Sequence, residues 1–334
     1  MIDRPGVDEP LLAAEVAAAW ALSVADLVFL PVGLDGNAWA YRVDTTGGAR
    51  YFLKLRRGEF TRAAVALPGF LRAQGLRQVV APIDLPDGGA VHGFEGYRLL
   101  LYPFHEGGSL WARGLTDRQW IGYGEFLGRL HQVTPSAELA AVLPVETYRS
   151  TAGERLRTLG DQAAASDALG AFWKRYGTAL HRLADTVDEL ASGVTRARHV
   201  IAHADIHPGN LIADGDGPLH VVDWDAPMFA PRERDLMFVY SRDFGDHPAD
   251  ARRAELFRRG YGPVEPDQRL LSYYRGERHL DDAAEFLRSI LRPGASPESR
   301  ANDLHWLTRI AEAVAEPASG RLRSPRPGCL RGAC

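Results

Sequence analysis

The sequence predicts an α+β chain with a small antiparallel β-sheet lobe at the N-terminus and a larger, mainly helical lobe behind it. Three observations carry this. Three β-like segments separated by turn residues fill positions 26–55. Apolar stripes at helical spacing dominate from Thr116 onward. A polar cluster running from His203 to Asp223 sits among short apolar runs inside the helical part.

Taken in order, Leu11–Leu22 carries Leu12, Val16, Ala19 and Trp20 at helical spacing and reads as a leading amphipathic helix. The segments Asp26–Pro31, Ala38–Val43 and Arg50–Leu55 follow, with turns at Val32–Asn37 and Thr45–Gly48, so they form an antiparallel meander. A helix over Thr61–Ala73 is expected to kink or split at Pro68-Gly69, because proline removes a backbone donor and clashes with the preceding turn. Two further strands are expected at Val79–Ile83 and Tyr97–Tyr102, then a linker over Pro103–Gly108. Thr116–His131 places Trp120, Tyr123, Phe126, Leu127 and Leu130 on one stripe behind a threonine cap. Helices are also expected over Asp167–Leu190, Glu233–Ser241, Pro248–Arg259, Asp267–Leu291 and Pro297–Ala315. Residues 316–334 are rich in Pro, Gly, Ser and Arg and are expected to be disordered. The expected organisation is therefore a small β-rich lobe over 1–102, a hinge over 103–108, a helical lobe over 109–315 and a tail over 316–334.

With 334 residues the chain can bury a sizeable core, and a net charge of −4 speaks against a general nucleic-acid binder. No apolar run approaches the roughly 18 residues that span a bilayer, and the acidic start MIDRPGVDEP does not have the layout of a secretory signal, so a cytoplasmic protein is expected. Both cysteines, Cys329 and Cys334, fall in the tail, which excludes a disulfide framework or cysteine zinc site in the folded body. Of 39 basic residues only Lys54 and Lys174 are lysine. Against such an arginine bias a retained lysine draws interest, because a compact ammonium and a broad guanidinium are not interchangeable at a tight phosphate site.

The stretch from Val200 to Asp235 holds the chemistry. It reads His203-x-Asp205, then Asn210 five residues after Asp205, then a turn at Asp214–Pro218 and an apolar run that ends at Asp223. That order matches the catalytic loop and metal aspartate of kinases. Asp205 suits a group that accepts a proton from an attacking hydroxyl. Asn210 and Asp223 offer oxygen ligands of the kind a hard Mg²⁺ takes. Upstream, Lys54 in Tyr51-Phe52-Leu53-Lys54-Leu55 shares a strand face with Phe52 and stands where a kinase-like lobe holds nucleotide phosphates. Gly33, Gly36 and Asn37 lie in the first turn, where glycine lets backbone N–H groups approach an anion; an ordinary hairpin uses the same residues.

Other readings stay open at this point. His203, Asp205 and His207 at alternate positions also suit a zinc or iron site of a metallohydrolase. His203 otherwise packs under the loop and donates a hydrogen bond to backbone or to Asp223, while His207 either shapes the loop or meets substrate. Asp225 either meets a cationic substrate or is a solvated loop carboxylate. Trp224 is expected in the core, and Asp235, near a helix start, is expected to accept N–H groups from its own helix or from the loop. Glu277 and Asp281, four apart, share a helix face that is either solvated or an acidic wall for an amine-bearing substrate.

With these residues placed, the chain resembles the aminoglycoside phosphotransferase family, a branch of the protein-kinase-like fold that also holds choline kinases. His203-x-Asp205-x-x-x-x-Asn210 and Asp223 carry the match, and HADIHPGN, DWDAPMFAPRERDLMF and LSYYRGER resemble the branch that modifies spectinomycin. The likeness runs over about residues 10–295. It implies a bilobal kinase-like fold and ATP- and Mg²⁺-dependent phosphorylation of an aminocyclitol or aminoglycoside antibiotic hydroxyl, hence resistance. It implies Lys54 on the ATP phosphates, Asp205 as base, Asn210 and Asp223 on Mg²⁺, and adenine against Leu101, Tyr102 and Phe104. A kinase of another small hydroxyl compound, such as a choline-like amine or a sugar, and a nucleotide-binding pseudoenzyme are the alternatives. One departure stands out. The family places a glutamate early in the helix after the lysine strand, and the matching position here is Arg62, with Glu59 three residues earlier.

Overall fold

The computed structural model describes residues 4–33, 36–194, 197–240 and 251–315. The expected tail over 316–334, the starts and ends of helices at 241 and 248–250, and the turn residues 34–35 lie outside the described residues. The described chain forms two compact units. The first runs to Arg149 and takes in Leu190–Arg275; the second is built from Ser150–Glu189 and the chain from Gly276 onward.

In the first unit, α1 (Glu9–Ala19) starts at Asp8, whose carboxylate accepts the Leu11 N–H at 2.9 Å. Strands β1 (Val24–Leu30), β2 (Ala38–Thr45) and β3 (Arg50–Arg57) form the expected antiparallel meander. Helix α2 (Arg62–Ala73) follows, capped by the Thr61 hydroxyl. It stays one helix through Pro68, so of the expected kink or split the split does not occur; Pro68 is itself buried beside Leu67 and Leu71, so packing holds the turn that lacks a donor. The remaining strands of the sheet are β4 (His92–Phe94) and β5 (Tyr97–Pro103), giving the order β1-β2-β3-β5-β4.

The segment Val79–Ile83 is not a strand. Pro82 removes one ladder donor, and the segment pairs only point by point, with the Val80 N–H on the Val221 carbonyl at 3.0 Å and the Ile83 N–H on the Leu101 carbonyl at 2.7 Å. One sheet face buries Tyr41, Val43, Leu53, Leu55, Leu99 and Leu101 against Leu12 and Val16 of α1 and Trp20 just after it. Alternation turns Phe52, Lys54 and Arg56 to the opposite face, where Leu100, paired with Lys54, packs on Phe60 and Ala90.

Beyond β6 (Gly108–Ser109) and α3 (Leu110–Arg113), α4 (Asp117–Leu130) begins with a reciprocal capping box between Thr116 and Gln119 and is followed by α5 (Ala137–Ala140). The second unit opens on α6 (Ala152–Ala164), which buries only small residues and Leu156, and continues in α7 (Gly170–Ser192), whose Trp173 ring lies against Gly160.

Back in the first unit, β7 (His199–Ala202) leads into the polar loop and a 3-10 turn at Pro208–Asn210. Then come β8 (Leu211–Ala213), β9 (His220–Val221) and β10 (Met228–Pro231), with β10 pairing on β7 and β8 between β6 and β9. Helices α8 (Glu233–Tyr240), α9 (Ala251–Tyr261), α10 (Gln268–Leu291) and α11 (Pro297–Ala315) complete the chain. In the second unit, Ser289 donates to Asp303 at 2.6 Å, beside buried Leu307 and Ala311. Among the described residues no helix is long and apolar enough to cross a membrane.

Helices α4 and α9 meet backbone to backbone. A Cβ on Gly124 would run into the Phe257 carbonyl, one on Gly128 would lie 3.0 Å from the Tyr261 carbonyl oxygen, and one on Gly260 would meet the Ile121 carbonyl. Gly124→Ala is expected to force the pair apart and cost about 2 kcal/mol by overpacking, read as a lower midpoint in urea unfolding. Gly122→Ala, on the same helix with open space around it, is the control and is expected to be neutral or slightly stabilising.

Candidate active site

The polar loop leaves β7 at His203 and turns at Ala204, whose φ of 69° lies in the left-handed region. Asp235, in the first turn of α8 and fully buried, holds this turn. Its carboxylate accepts the Ala204 N–H at 2.7 Å and the His203 N–H at 3.0 Å, and meets His131 Nε2 at 3.1 Å. Of the two expected donors, the loop is the one observed.

His203 is structural. Its Nδ1 accepts the Asp205 N–H at 3.3 Å, and its Nε2 lies 2.9 Å from the Val222 carbonyl, to which it donates. Both ring nitrogens are thereby committed, which removes His203 as a metal ligand and with it the His-Asp-His hydrolase reading. Among the described residues no cluster of three or more His, Cys, Asp and Glu side chains forms a metal site.

Asp205 projects from the far side of the turn. The Asn210 amide Nδ2 donates to the Asp205 carbonyl at 2.8 Å and lies 3.4 Å from its carboxylate. His207 Nδ1 accepts the Gly209 N–H at 2.9 Å, which leaves Nε2, 3.7 Å from Asp205 Oδ1, as the proton-bearing nitrogen. Tyr123, from α4, steadies the loop from below by donating to the Ile206 carbonyl at 2.6 Å. The β8–β9 register then brings the two oxygen-ligand candidates together: the Val222 N–H donates to the Asn210 carbonyl at 3.1 Å, one residue before Asp223.

Asp223 also takes a left-handed turn, with φ of 62°. Between it and Asp225, Trp224 is 3% exposed, donates to the Val221 carbonyl and lies with its ring 4.4 Å from that of His203. Both aspartates face β3. Lys54 Nζ is 2.8 Å from Asp223 Oδ1 and 2.8 Å from Asp225 Oδ2, and Arg56 Nη1 is 2.6 Å from the same Asp225 oxygen. Burial acts to lower the Lys54 pKa, but the two carboxylates outweigh it and raise it above the usual lysine range. Burial likewise opposes ionisation of Asp223, and Lys54 overcomes it and holds the group below its ordinary value. Asp225 goes the other way: burial, assisted by repulsion from Asp223, raises it.

The other sequence candidates fall as follows. Gly33, with φ of 93°, lies three residues after β1, and exposed Gly36 and Asn37 lead into β2, where the Asn37 carbonyl accepts the Arg57 N–H at 2.9 Å. Leu101 is buried and Tyr102 half-buried on β5, and the Phe104 N–H donates to the Arg50 carbonyl at 3.3 Å. Glu277, buried, and Asp281, which pairs with Arg155, belong to the second unit. Arg62 lies exposed at the start of α2, and Glu59 is occupied by Arg98 at 2.6 Å, so neither residue supplies the partner of Lys54.

Two features escaped the sequence reading. Arg56 joins the ion cluster; strand alternation from Lys54 was signal enough to find it. His105, two residues after β5, stacks on His220 of β9, rings 3.7 Å apart at 24°, and no local pattern announces this.

A lysine borne on an antiparallel sheet and set on loop carboxylates, beside a loop presenting Asp205 and Asn210, is the arrangement of a kinase-like phosphotransferase. Comparison with known proteins gives the family: residues 30–279 match the family model of the APH phosphotransferases (phosphotransferase enzyme family), and the chain belongs to that family. It is a phosphotransferase with a hydroxyl acceptor and a kinase-like α+β fold. The solved structure of spectinomycin phosphotransferase APH(9)-Ia, in complex with ADP and spectinomycin, is similar with a TM-score of 0.83 and 25% identity, covering 93% of this chain and 98% of that one. Amicoumacin kinase hAmiN, solved in complex with AMP-PNP, Ca²⁺ and Ami, shares the fold with a TM-score of 0.63 and 16% identity over 92% of this chain and 94% of its own. Protein StrN of Streptomyces griseus is 24% identical over 307 residues, 87% of each chain.

Two measurements check the site's supports. Asp235→Ala strands three buried donors and is expected to cost about 3 kcal/mol in urea unfolding, with Asp235→Asn, which keeps one acceptor, costing less. The His105–His220 stack sets an acid limit. Burial first, then His220 and Arg72, lower His105 from 6.5 to about 4, and burial and Arg72 lower His220. Between pH 6.5 and 4 the unfolded chain therefore binds protons that the folded chain refuses. Stability is complete above that window and falls as pH drops through it. His105→Phe, which keeps a ring and loses the proton site, is expected to flatten that decline in unfolding midpoints measured across the same range.

Proposed function

We propose that the chain transfers the γ-phosphoryl group of ATP to a hydroxyl of an aminocyclitol antibiotic, spectinomycin foremost, and so confers resistance. The observation that carries this is the likeness, over 93% of the chain, to an enzyme solved with ADP and spectinomycin, joined to the arrangement of Asp205, Asn210, Asp223 and Lys54. We assign the nucleotide to residues 1–102 and the hinge 103–108, with Lys54 at its phosphates, the Gly33, Gly36 and Asn37 turn above it, and adenine against Leu101, Tyr102 and Phe104. The helical part, 109–315, takes the acceptor. ATP supply places the reaction in the cytoplasm.

The donor set fits Mg²⁺. The Asn210 amide nitrogen is used on the Asp205 carbonyl, which leaves its oxygen as the ligand atom, and Asp223 adds a carboxylate from the adjoining strand end. Asn210 and Asp223 would hold the ion, which supplies charge neutralisation on the phosphates when bound.

Asp205 performs the proton step. It accepts the hydrogen bond of the acceptor hydroxyl and orients its oxygen in line with the γ-phosphorus. The new O–P bond forms as the bond from γ-phosphorus to the β–γ bridging oxygen breaks, ADP leaves, and the hydroxyl proton passes to Asp205. Lys54 offsets phosphate charge from the β3 side.

Incubation with ATP and spectinomycin is expected to yield ADP and an antibiotic heavier by one phosphoryl group. Asp205→Asn is expected to lower kcat by on the order of 10²- to 10⁴-fold with nucleotide affinity retained. Turnover by Asp205→Asn at the wild-type rate would remove Asp205 as the base, and turnover of small alcohols or sugars in place of spectinomycin would reassign the acceptor.

A further inference from the structure

In a kinase-like lobe the strand lysine is oriented by a glutamate from the following helix. Here that helix offers exposed Arg62, and the nearby Glu59 is spent on Arg98. Lys54 nevertheless has two anions, and they are not equivalent. Asp223 is the residue proposed to hold the cation, so its charge is shared once a cation is present. Asp225 is not among the residues assigned to the cation. Its Oδ2 receives Lys54 Nζ at 2.8 Å and Arg56 Nη1 at 2.6 Å, two cations two residues apart on one face of β3.

We propose that Asp225 is a positioning residue for the nucleotide, replacing the helix glutamate as the fixed anion that holds Lys54, with Arg56 alongside, at the phosphates. This rests on the reading of Lys54 given under Proposed function.

Three features support a built contact over a chance surface pair. The Lys54 side chain is 14% exposed, so its ammonium requires an anion wherever it points. The Asp225 side chain is 24% exposed and its backbone is set by Trp224, which is pinned in the core between the two aspartates. Charge also balances locally: Lys54 and Arg56 meet Asp223 and Asp225, and removal of Asp225 leaves both cations competing for Asp223, the carboxylate needed elsewhere. Arg56 is held from its other side by the Phe60 ring, 5.6 Å from its guanidinium carbon. An acceptor amine reaching Asp225 would have to displace two cations already on one oxygen, which argues against the substrate role considered for it from the sequence.

The test separates nucleotide from acceptor. For Asp225→Asn, affinity for the non-hydrolysable analogue AMP-PNP with Mg²⁺, read by calorimetry, is expected to fall about 10- to 100-fold, the range seen when an outer-shell partner is lost. The acceptor KM of the same variant is expected to stay within about twofold of wild type. A double-mutant cycle covers a variant that is merely destabilised: Lys54→Met with Asp225→Asn is expected to bind AMP-PNP no worse than Lys54→Met alone. Additive losses, or an unchanged AMP-PNP affinity with a raised acceptor KM, would overturn the inference and return Asp225 to acceptor recognition. If Lys54→Met itself left AMP-PNP affinity unchanged, the reading of Lys54 would fail, and that result is distinguishable because it does not involve Asp225.

Discussion

One buried carboxylate holds the site together. Asp235 is fully excluded from solvent, yet it stays satisfied because two backbone N–H groups and a histidine converge on it, and because it lies in the first turn of α8, where the helix dipole favours negative charge. Those contacts allow Ala204 to adopt a left-handed φ, a conformation that costs about 1 kcal/mol for a non-glycine residue. Without that turn the chain would run on from β7 and Asp205 would point along the strand. The support extends outward. His131 follows the end of α4 and meets both Asp235 and the Tyr261 hydroxyl, the latter at 2.8 Å. Tyr261 ends α9, which reaches this position only because Gly124, Gly128 and Gly260 let the two helices touch through their backbones. Helix packing and loop geometry are thus one problem: a methyl group at the α4–α9 contact would be felt at the turn before Asp205.

The opposite wall is electrostatic. Strand β3 delivers two cations on one face, and the turn after β9 delivers two anions. Partly buried charges of this kind are costly unless paired, and removing one partner harms more than the pair contributes. The cluster is therefore better understood as a specificity device than as a source of stability. It fixes where the ammonium of Lys54 sits, and under the role proposed for Lys54 that limits the reorganisation phosphate binding would otherwise require.

How much of this the sequence disclosed follows from the range of each interaction. The meander, the capped helix at Thr116 and the order Lys54, Asp205, Asn210, Asp223 depend on local periodicity and spacing, and all were legible. Val79–Ile83 was misread because its apolar run outweighed Pro82. Helix α6 was missed because its buried face holds one large apolar side chain, Leu156, among alanine and glycine, so no stripe of large apolar residues marks it. The Gly124-x-x-x-Gly128 spacing on α4 was visible and announces a close helix contact, although not which helix makes it. The partners of Lys54 and of His105 were out of reach, since they lie 169 and 115 residues away and no pattern within one segment encodes them.

Trp224 shows how such long-range geometry is made dependable. In the Asp-x-Asp turn the middle side chain must point away from the two carboxylates, and tryptophan gives that position three anchors. Its indole N–H is used on the Val221 carbonyl, its face meets His203, and its edge meets Phe126 of α4. His203 is in turn fixed by the Val222 carbonyl and the Asp205 N–H. The loop carrying Asp205 and the turn carrying Asp223 and Asp225 therefore share one aromatic pin, so neither moves without the other. A smaller ring at 224 would lose the indole N–H and part of the contact with His203. Both aspartates would then sweep a wider arc before β3, and the proposed base and the charges proposed for the phosphates would no longer be held in one frame.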